Sequence, residues 1–180
     1  MTFRDYSQAP LRGEFAKRES GLRRRAVYRN GAKRAFDVFL VLLMLPVAMP
    51  LILIMACLVA FDGGLPIYSQ KRIGRGGRIF QMVKIRTMVS GADALLEYHL
   101  RKNPKARCEW DETQKLKHDP RITRIGYLLR KSSLDELPQL WNVLMGDMSL
   151  VGPRPMMVGQ EALYPGTDYF ELRPGITGLW

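Results

Sequence analysis

Two adjacent carboxylates, Asp135 and Glu136, are the side chains of this sequence whose type and setting best suit chemistry. A basic pair, Arg130 and Lys131, stands just before them, and an amphipathic helical pattern follows. The apolar positions of that pattern are Leu137, Leu140, Trp141 and Leu144. Pro138 lacks a backbone N–H and must fall among the first helical positions, which predicts Asp135 at or very near the N-cap and Glu136 in the first turn.

This placement allows a structural and a chemical interpretation. As helix-capping groups, the two carboxylates would contribute about 0.5–2 kcal/mol each. A helix N-terminus also provides a seat for phosphate. A carboxylate held there is expected to stay ionised at neutral pH and can serve as a nucleophile or a Mg²⁺ ligand. The pair alone leaves both interpretations open.

Arginines elsewhere in the sequence favour phosphate chemistry. Arg130 lies shortly before Asp135, and Arg154 has a proline on each side, which restricts its backbone. Arg173 precedes a Pro-Gly pair. A guanidinium donates two parallel hydrogen bonds to a phosphate, so the three arginines are candidate phosphate ligands. Two carboxylates and three arginines beside a membrane segment together indicate phosphoryl transfer to a lipid.

That membrane segment runs from Val38 to Phe61 and contains no charged residue. As a helix it would be about 36 Å long, enough to cross a bilayer. Pro46 and Pro50 lie in its middle, where each should bend the helix. The bend predicts a re-entrant hairpin, and one kinked spanning helix is the alternative.

The charges around this segment favour the hairpin. Both flanks are basic, with Lys33, Arg34, Lys71, Arg72, Arg75 and Arg78. Cytoplasmic loops carry an excess of Lys and Arg, and a hairpin keeps both flanks on that face. Asp37 would lie near the interface, where an ion pair with Lys33 or Arg34 lowers the cost of its charge.

The overall charge points to an anionic partner. Lys and Arg number 28 and Asp and Glu 17, so the net charge is 28 − 17 = +11. Nucleic acid, an anionic membrane and phosphorylated substrates would all fit. The apolar segment and the lack of a recognition motif argue against nucleic acid as the partner, and partitioning into the membrane fraction at high salt would exclude it. Two cysteines, one inside the apolar segment, indicate a reducing, cytoplasm-facing site, and with two histidines they make zinc improbable.

The sequence divides into a basic arm (1–32), a re-entrant membrane helix (33–62) and a cytoplasmic catalytic domain (63–180). In that domain, 67–72 and 78–86 predict a β-hairpin closed by the GRGG turn at 74–77. No GK[ST] follows the glycines, so we interpret them as a basic turn on lipid headgroups and not as a P-loop.

Two further helical segments are predicted between the hairpin and the carboxylates. One covers 90–104, with Ser90 as its cap and Pro104 as its stop. The other is amphipathic and follows a turn at Asp119-Pro120. The expected fold class is an α/β monotopic membrane protein, with a re-entrant helix hairpin, a small β-hairpin and interfacial amphipathic helices around the active site.

The motifs of the chain, taken in order, resemble those of a known family. They are KRAFDV (33–38), KIRTM (84–88), DPRIT (119–123), LRKSSLDELPQLWNVLMGDMSLVGPRP (129–155) and RPGITGLW (173–180). The same order occurs in bacterial sugar transferases, the monotopic polyprenol-phosphate phosphoglycosyl transferases. The resemblance runs from about residue 33 to the end. It is strongest to the enzymes that begin exopolysaccharide synthesis.

The resemblance implies an enzyme on the cytoplasmic face of the bacterial inner membrane. It would transfer galactose- or glucose-1-phosphate from a UDP-sugar to undecaprenyl phosphate, releasing UMP, and would need Mg²⁺. Asp135 would form a phosphosugar intermediate. Glu136 would complete the dyad as a base or metal-site partner, with both carboxylates near the metal. Arg130, Arg154 and Arg173 would hold phosphate.

Two departures from the family pattern stand out. Met49, where the family commonly has Ser, precedes Pro50, so another group must stabilise the helix break. The family also continues beyond the position of Trp180, so we expect the chain to be C-terminally incomplete, and an inactive membrane scaffold is the alternative function. The sequence sets neither the sugar nor the oligomeric state, and a homo-oligomer stays open.

Overall fold

A long helix lies against a small α/β body in the computed structural model, which describes residues 11–61, 63–160 and 168–178. The helices are α1 (Leu11–Ala60), α2 (Ala92–Lys102), α3 (Pro104–Thr113), α4 (Arg124–Ser132), α5 (Gln139–Met145) and α6 (Asp168–Glu171). The strands are β1 (Ile67–Ile73), β2 (Ile79–Ile85), β3 (Ser149–Val151), β4 (Met156–Met157) and β5 (Gly175–Thr177). Two short 3₁₀ turns cover Arg75–Gly77 and Leu134–Glu136.

Helix α1 contains Pro46 and Pro50 and is helical throughout its length. It therefore extends into the predicted basic arm, of which residues 1–10 lie outside the described part. Its portion Gly31–Ala60 is long and apolar enough to cross a membrane, by length and composition. The re-entrant path of this segment stays a prediction.

One stripe of α1 packs on the body, and the opposite face is exposed and apolar. The buried stripe contains Asp37, Val41, Ala48, Met55 and Val59, at helical spacing. The N-terminal part of the stripe, with Val41 and Ala48, packs on β2 and α5. The C-terminal part, with Met55 and Val59, packs on the end of β2 and on α4. The exposed face includes Phe39, Leu43, Val47, Leu53 and Ile54.

Polar contacts hold α1 at both ends of its apolar segment. Near the start, Ser149 Oγ donates to Asp37 Oδ2 at 2.7 Å, and Lys33 forms an ion pair with the same carboxylate at 3.4 Å. Near the end, Arg86 Nη2 donates to the carbonyl oxygen of Val59 at 3.0 Å. The predicted pairing of Asp37 with a neighbouring cation is therefore confirmed for Lys33.

The predicted hairpin is confirmed, with β1 and β2 antiparallel and Ile73 opposite Ile79. Strand β4 adds to the other edge of β1. Strands β3 and β5 form a separate parallel pair, with Ser149 opposite Gly175. Strand β4 follows β3 in the chain but joins the first sheet, so the segment after α5 contributes a strand to both sheets.

Two details of the predicted helices are wrong. Gly91, with a φ of 75°, is the N-cap of α2, while Ser90 Oγ accepts a hydrogen bond from Arg86 Nη1. The left-handed φ at this point suits glycine, which explains why the cap is one residue later than predicted. Pro104 begins α3, because proline is tolerated at the first helical position, and α3 was not predicted.

Candidate active site

A cavity of about 450 Å³ opens between the β-hairpin, the 3₁₀ turn at Leu134–Glu136 and the loops beside β3 and β5. Three cationic side chains line it, those of Arg72, Lys84 and Arg154. The carboxylate of Glu136 also lines the cavity. The arrangement suits a polyanionic ligand that must approach a carboxylate, because the cations offset the repulsion between the two.

The register of the hairpin places Arg72 and Lys84 on the same side. Tyr68 pairs with Lys84, and Arg72 pairs with Phe80. Side chains alternate between the two faces of a strand, so these paired positions and Met82 share one face. Both cations therefore reach the cavity from neighbouring strands.

Asp135 and Glu136 lie in the 3₁₀ turn, which corrects the prediction that Asp135 is at or near the N-cap of the following helix. The N-cap of α5 is Pro138. Ser133, with a φ of 56°, ends α4 and starts the turn, and its carbonyl accepts from the N–H of Glu136 at 3.2 Å. The chain reverses between two helices here, and the tighter turn uses the residues that the sequence pattern assigned to the helix start.

Asp135 is buried, with 7% of its surface exposed. Burial raises the pKa of Asp135 above the usual aspartate value, and the negative charge of Glu136 adds to the increase. The positive charges of Lys84 and Arg130 act in the opposite direction. We expected a helix end to favour the ionised form, but desolvation has the largest influence here.

Glu136 is paired with a cation at the cavity wall. Lys84 Nζ lies 2.6 Å from Glu136 Oε1, and both side chains are only partly exposed. Asp135 lies one residue back and is not among the residues that line the cavity. The structure thus gives the two carboxylates different surroundings, one paired at the wall and one enclosed behind it.

Two hydrogen bonds fix the guanidinium of Arg72, and its Nε–H has no partner among the described residues. Its Nη1 donates to the carbonyl of Pro155 at 3.2 Å, and its Nη2 donates to Gln70 Oε1 at 2.8 Å. This unpartnered Nε is buried. Burial, followed by the nearby charge of Arg154, lowers the pKa of Arg72. Both observations indicate a place where a negative charge would be stabilising.

The predicted arginines are not all at the cavity. Arg154 lines it, as described above. Arg130 is exposed on α4, where its Nε donates to Thr87 Oγ1 at 2.8 Å, and its charge acts on Asp135 from outside the cavity wall. Gly126 allows this approach of α4, because a Cβ there would lie 2.1 Å from the carbonyl oxygen of Thr87.

Arg173 lines a second pocket of about 280 Å³, together with the glycine-rich turn of the hairpin. Its Nε donates to the carbonyl of Gly146 at 2.9 Å. The structure therefore does not bring Arg173 to the cavity that contains Glu136. Pro46 and Pro50 lie on the exposed side of α1 and line neither pocket.

The described residues offer few ligands for a metal ion. Within them, no three Asp, Glu, His or Cys side chains come close enough together to hold one. Asp135 and Glu136 supply two carboxylates, and one oxygen of Glu136 already accepts from Lys84. Mg²⁺ is typically bound through one or two carboxylates plus substrate phosphates, so this pair fits only that mode.

The sequence interpretation did not assign roles to Lys84 and Arg72. The hairpin pattern could have indicated both residues. The short GRGG turn and the alternation of strand side chains put Lys84 and Arg72 on one face. What the sequence could not show was that this face meets the 3₁₀ turn, because the contact joins segments about fifty residues apart, as the pairing of Lys84 with Glu136 shows.

The chain was compared with known proteins. Residues 28–180 match the family model described as Bacterial sugar transferase. A protein named UDP-galactose-lipid carrier transferase, from Erwinia amylovora, is 52% identical over 82% of this chain and 31% of its own length. The Exopolysaccharide production protein ExoY of Rhizobium meliloti is 49% identical over 83% of this chain and 67% of its own length.

A third relative is the Undecaprenyl-phosphate galactose phosphotransferase of Salmonella typhimurium, 47% identical over 82% of this chain and 32% of its own length. The matched region spans about a third of the first and third relatives. It includes both carboxylates, the hairpin and the apolar helix within residues 28–180. The resemblance that the motifs carried is confirmed, and the chain belongs to the bacterial sugar transferase family.

Proposed function

We propose that this chain transfers a sugar-1-phosphate from a UDP-sugar to undecaprenyl phosphate and releases UMP. The observation that carries the proposal is the cavity in which Glu136, adjoining Asp135, faces Arg72, Lys84 and Arg154. The printed names of the relatives refer to UDP-galactose, undecaprenyl phosphate and exopolysaccharide production. Galactose and glucose are the candidate sugars, and the product would start exopolysaccharide synthesis.

The reaction proceeds by two displacements at one phosphorus. A carboxylate oxygen of Asp135 attacks the phosphorus that bears the sugar, and the bond to the bridging oxygen breaks, so that UMP leaves with the electron pair. A phosphate oxygen of undecaprenyl phosphate then attacks the same phosphorus and releases the carboxylate. The two substrates need not be bound at the same time.

The surroundings of Asp135 support its assignment as the nucleophile. Burial makes a carboxylate more reactive by removing the water that stabilises its charge, and the raised pKa of Asp135 reflects this. The charge of Lys84 acts in the opposite direction and favours the ionised, attacking form. Local movement of the 3₁₀ turn must open the carboxylate to the cavity.

Glu136 and the cations have separate tasks in this scheme. Glu136 orients Lys84 through their 2.6 Å contact and can act as a base or metal-site partner. Arg72 and Arg154, which both line the cavity, hold the diphosphate through their guanidinium groups. Arg130 acts on Asp135 from the α4 side, which differs from the direct phosphate contact that the resemblance implied.

Mg²⁺ is part of the proposal in a limited form. Asp135 and Glu136 would hold it together with the substrate diphosphate, in the mode that two carboxylates allow. When bound, the ion would neutralise charge on the leaving UMP. No other described residue of the acidic, histidine or cysteine type joins this pair in a cluster of three.

The contacts of α1 support a monotopic placement. Its apolar segment is held to the same α/β body at Asp37 and again at Val59. A helix that carried one end across a bilayer would have to take part of that polar body into the hydrocarbon, which is very costly. A re-entrant path, bent at Pro46 and Pro50, keeps the body on the cytoplasmic face of the inner membrane.

The test measures exchange of labelled UMP into UDP-galactose and UDP-glucose without undecaprenyl phosphate, in detergent with Mg²⁺. Exchange requires a phosphosugar-enzyme. The UDP-sugar that supports the faster exchange is the preferred donor. Asp135→Asn should abolish exchange, whereas Glu136→Gln should retain a measurable part. Loss only in Glu136→Gln would move the nucleophile to the glutamate. No exchange by the parent chain, together with no UMP release when the lipid acceptor is added, would contradict the proposal and favour a scaffold.

A further inference from the structure

The second pocket brings together arginines from three separate segments. Arg75 and Arg78 lie in the hairpin turn, and Arg173 lies just before β5. Arg34 of α1 approaches the same place, since its guanidinium would be 3.7 Å from a Cβ on Gly146, a lining residue. Burial and then the charges of Arg75 and Arg34 lower the pKa of Arg173, consistent with the crowding of these three cations.

Helix capping accounts for only part of this cluster. Arg34 Nη2 donates to the carbonyl of Leu144 at 2.8 Å, and Arg173 Nε donates to that of Gly146, so both satisfy the end of α5. Arg75 and Arg78 make no such contact within the part of the chain that the structure describes. No carboxylate of the described residues forms an ion pair with any of the four, and Asp147 is the one acidic residue that lines the pocket.

The position of the pocket along α1 indicates its depth. Arg34 precedes the uncharged segment that begins at Val38, so its guanidinium lies at headgroup level when that segment is in hydrocarbon. Ile79, which is half exposed, follows Arg78 and offers an apolar contact beside the pocket. A group bound here would be negative on the pocket side and apolar on the membrane side.

We propose that this pocket binds the phosphate of an anionic phospholipid headgroup and fixes the catalytic body against the bilayer. The site is separate from the cavity of Glu136, and no residue lines both. Guanidinium groups suit phosphate through paired hydrogen bonds, and those of Arg75 and Arg78 are the ones that capping leaves available. The inference rests on the membrane placement given under the proposed function.

The test measures lipid selectivity in phosphatidylcholine bilayers, as the association of spin-labelled phosphatidylglycerol relative to spin-labelled phosphatidylcholine. The parent chain should prefer phosphatidylglycerol. The double variant Arg75→Gln/Arg78→Gln should lower that preference about tenfold, because two charge-assisted contacts are lost. The matched control, Arg101→Gln/Arg124→Gln, removes the same charge from exposed positions outside the pocket and should change it by less than about twofold.

Asp147→Asn supplies a variant whose predicted effect cannot result from misfolding. It removes the acidic residue of the pocket and should raise the phosphatidylglycerol preference about threefold. Equal selectivity of the parent and Arg75→Gln/Arg78→Gln, or an equal loss in the control, would overturn the proposal. Membrane flotation of each protein separates these results from a failure of membrane placement, which would prevent partitioning altogether.

Two competition arms identify the source of the phosphate. Inorganic phosphate, compared with sodium chloride at equal ionic strength, should not displace phosphatidylglycerol. Undecaprenyl phosphate should displace it no better than phosphatidylglycerol itself does. Selective displacement by either compound would assign the pocket to free phosphate or to the acceptor and would overturn the phospholipid assignment.

Discussion

The two pockets share arginine-rich linings but differ in their carboxylates. In the cavity of Glu136, an acid and a cation are in contact, and a second acid, Asp135, lies behind them. In the pocket of Arg173, the acidic lining residue Asp147 has no ion pair with any described residue. Cations alone can hold a phosphate, whereas displacement at phosphorus also needs a nucleophile among them. The comparison therefore distinguishes the proposed site of chemistry from the proposed site of attachment.

The largest effect should come from removing the proposed nucleophile, Asp135. We expect Asp135→Asn to lower the rate of UMP release by about 10³-fold or more, because the first displacement has no attacking oxygen. Initial-rate measurements with UDP-galactose and UDP-glucose would show this. Asp147→Asn is the matched variant from the other pocket, and an equal loss there would remove the distinction between the two sites.

A smaller effect is expected at the pair that faces the cavity. Lys84→Met and Glu136→Gln should each lower kcat about 10²-fold, since each leaves its partly buried partner unpaired. Because the two groups are in contact, the double variant should be less impaired than the product of the single losses. A double-mutant cycle should give a coupling of about 0.5–3 kcal/mol. Fully additive losses would show that the pair does not act together.

Arg154 should affect substrate binding more than turnover. Arg154→Lys keeps the charge but loses the paired hydrogen bonds, so KM for the UDP-sugar should rise about tenfold or more. The exposed Arg124→Lys lies outside both pockets and should change KM less than about twofold. A similar rise in both variants would mean that general positive charge, and not the geometry of the cavity, binds the donor.

The smallest expected effect is on stability. The pKa of Asp135 is raised in the folded chain, so ionising it costs folding free energy, and that cost appears as pH rises above the usual aspartate range. Asp135→Asn should therefore unfold at a higher temperature than the parent near neutral pH, and the difference should shrink as pH falls below both pKa values. Thermal melts in detergent across this range would test the sign, and a variant that is less stable at neutral pH would contradict it.

Local patterns predicted most of the elements near the site. The alternation and the GRGG turn gave the hairpin, and the apolar spacing gave α5 and the apolar segment of α1. Trp141 shows where such patterns fail, since it fits the apolar stripe of α5 but is 59% exposed. A stripe identifies an amphipathic helix and does not distinguish a protein core from a membrane surface.

The arrangement of the site depended on contacts that no local pattern contains. The turn that holds Asp135 replaced a predicted cap because α4 ends at Ser133 in a left-handed conformation. Arg173 looked equivalent to Arg154 in the sequence, as each adjoins a proline. Arg154 follows β3, however, and Arg173 precedes β5, so the two lie at opposite ends of the parallel pair and line different pockets. The face on which a strand residue lies can be predicted from its position in the sequence. Which distant loops come together can be seen only in the assembled fold.

The bond between Ser149 and Asp37 also sets an order of events during synthesis. The two residues are 112 positions apart, so the ribosome has already made the whole apolar segment of α1 long before Ser149 exists. Until then, the ion pair with its neighbour Lys33 is the contact described above that Asp37 can already form. Under the proposed membrane placement, the polar link between the anchoring helix and the body can therefore form only after the whole apolar segment has been synthesised.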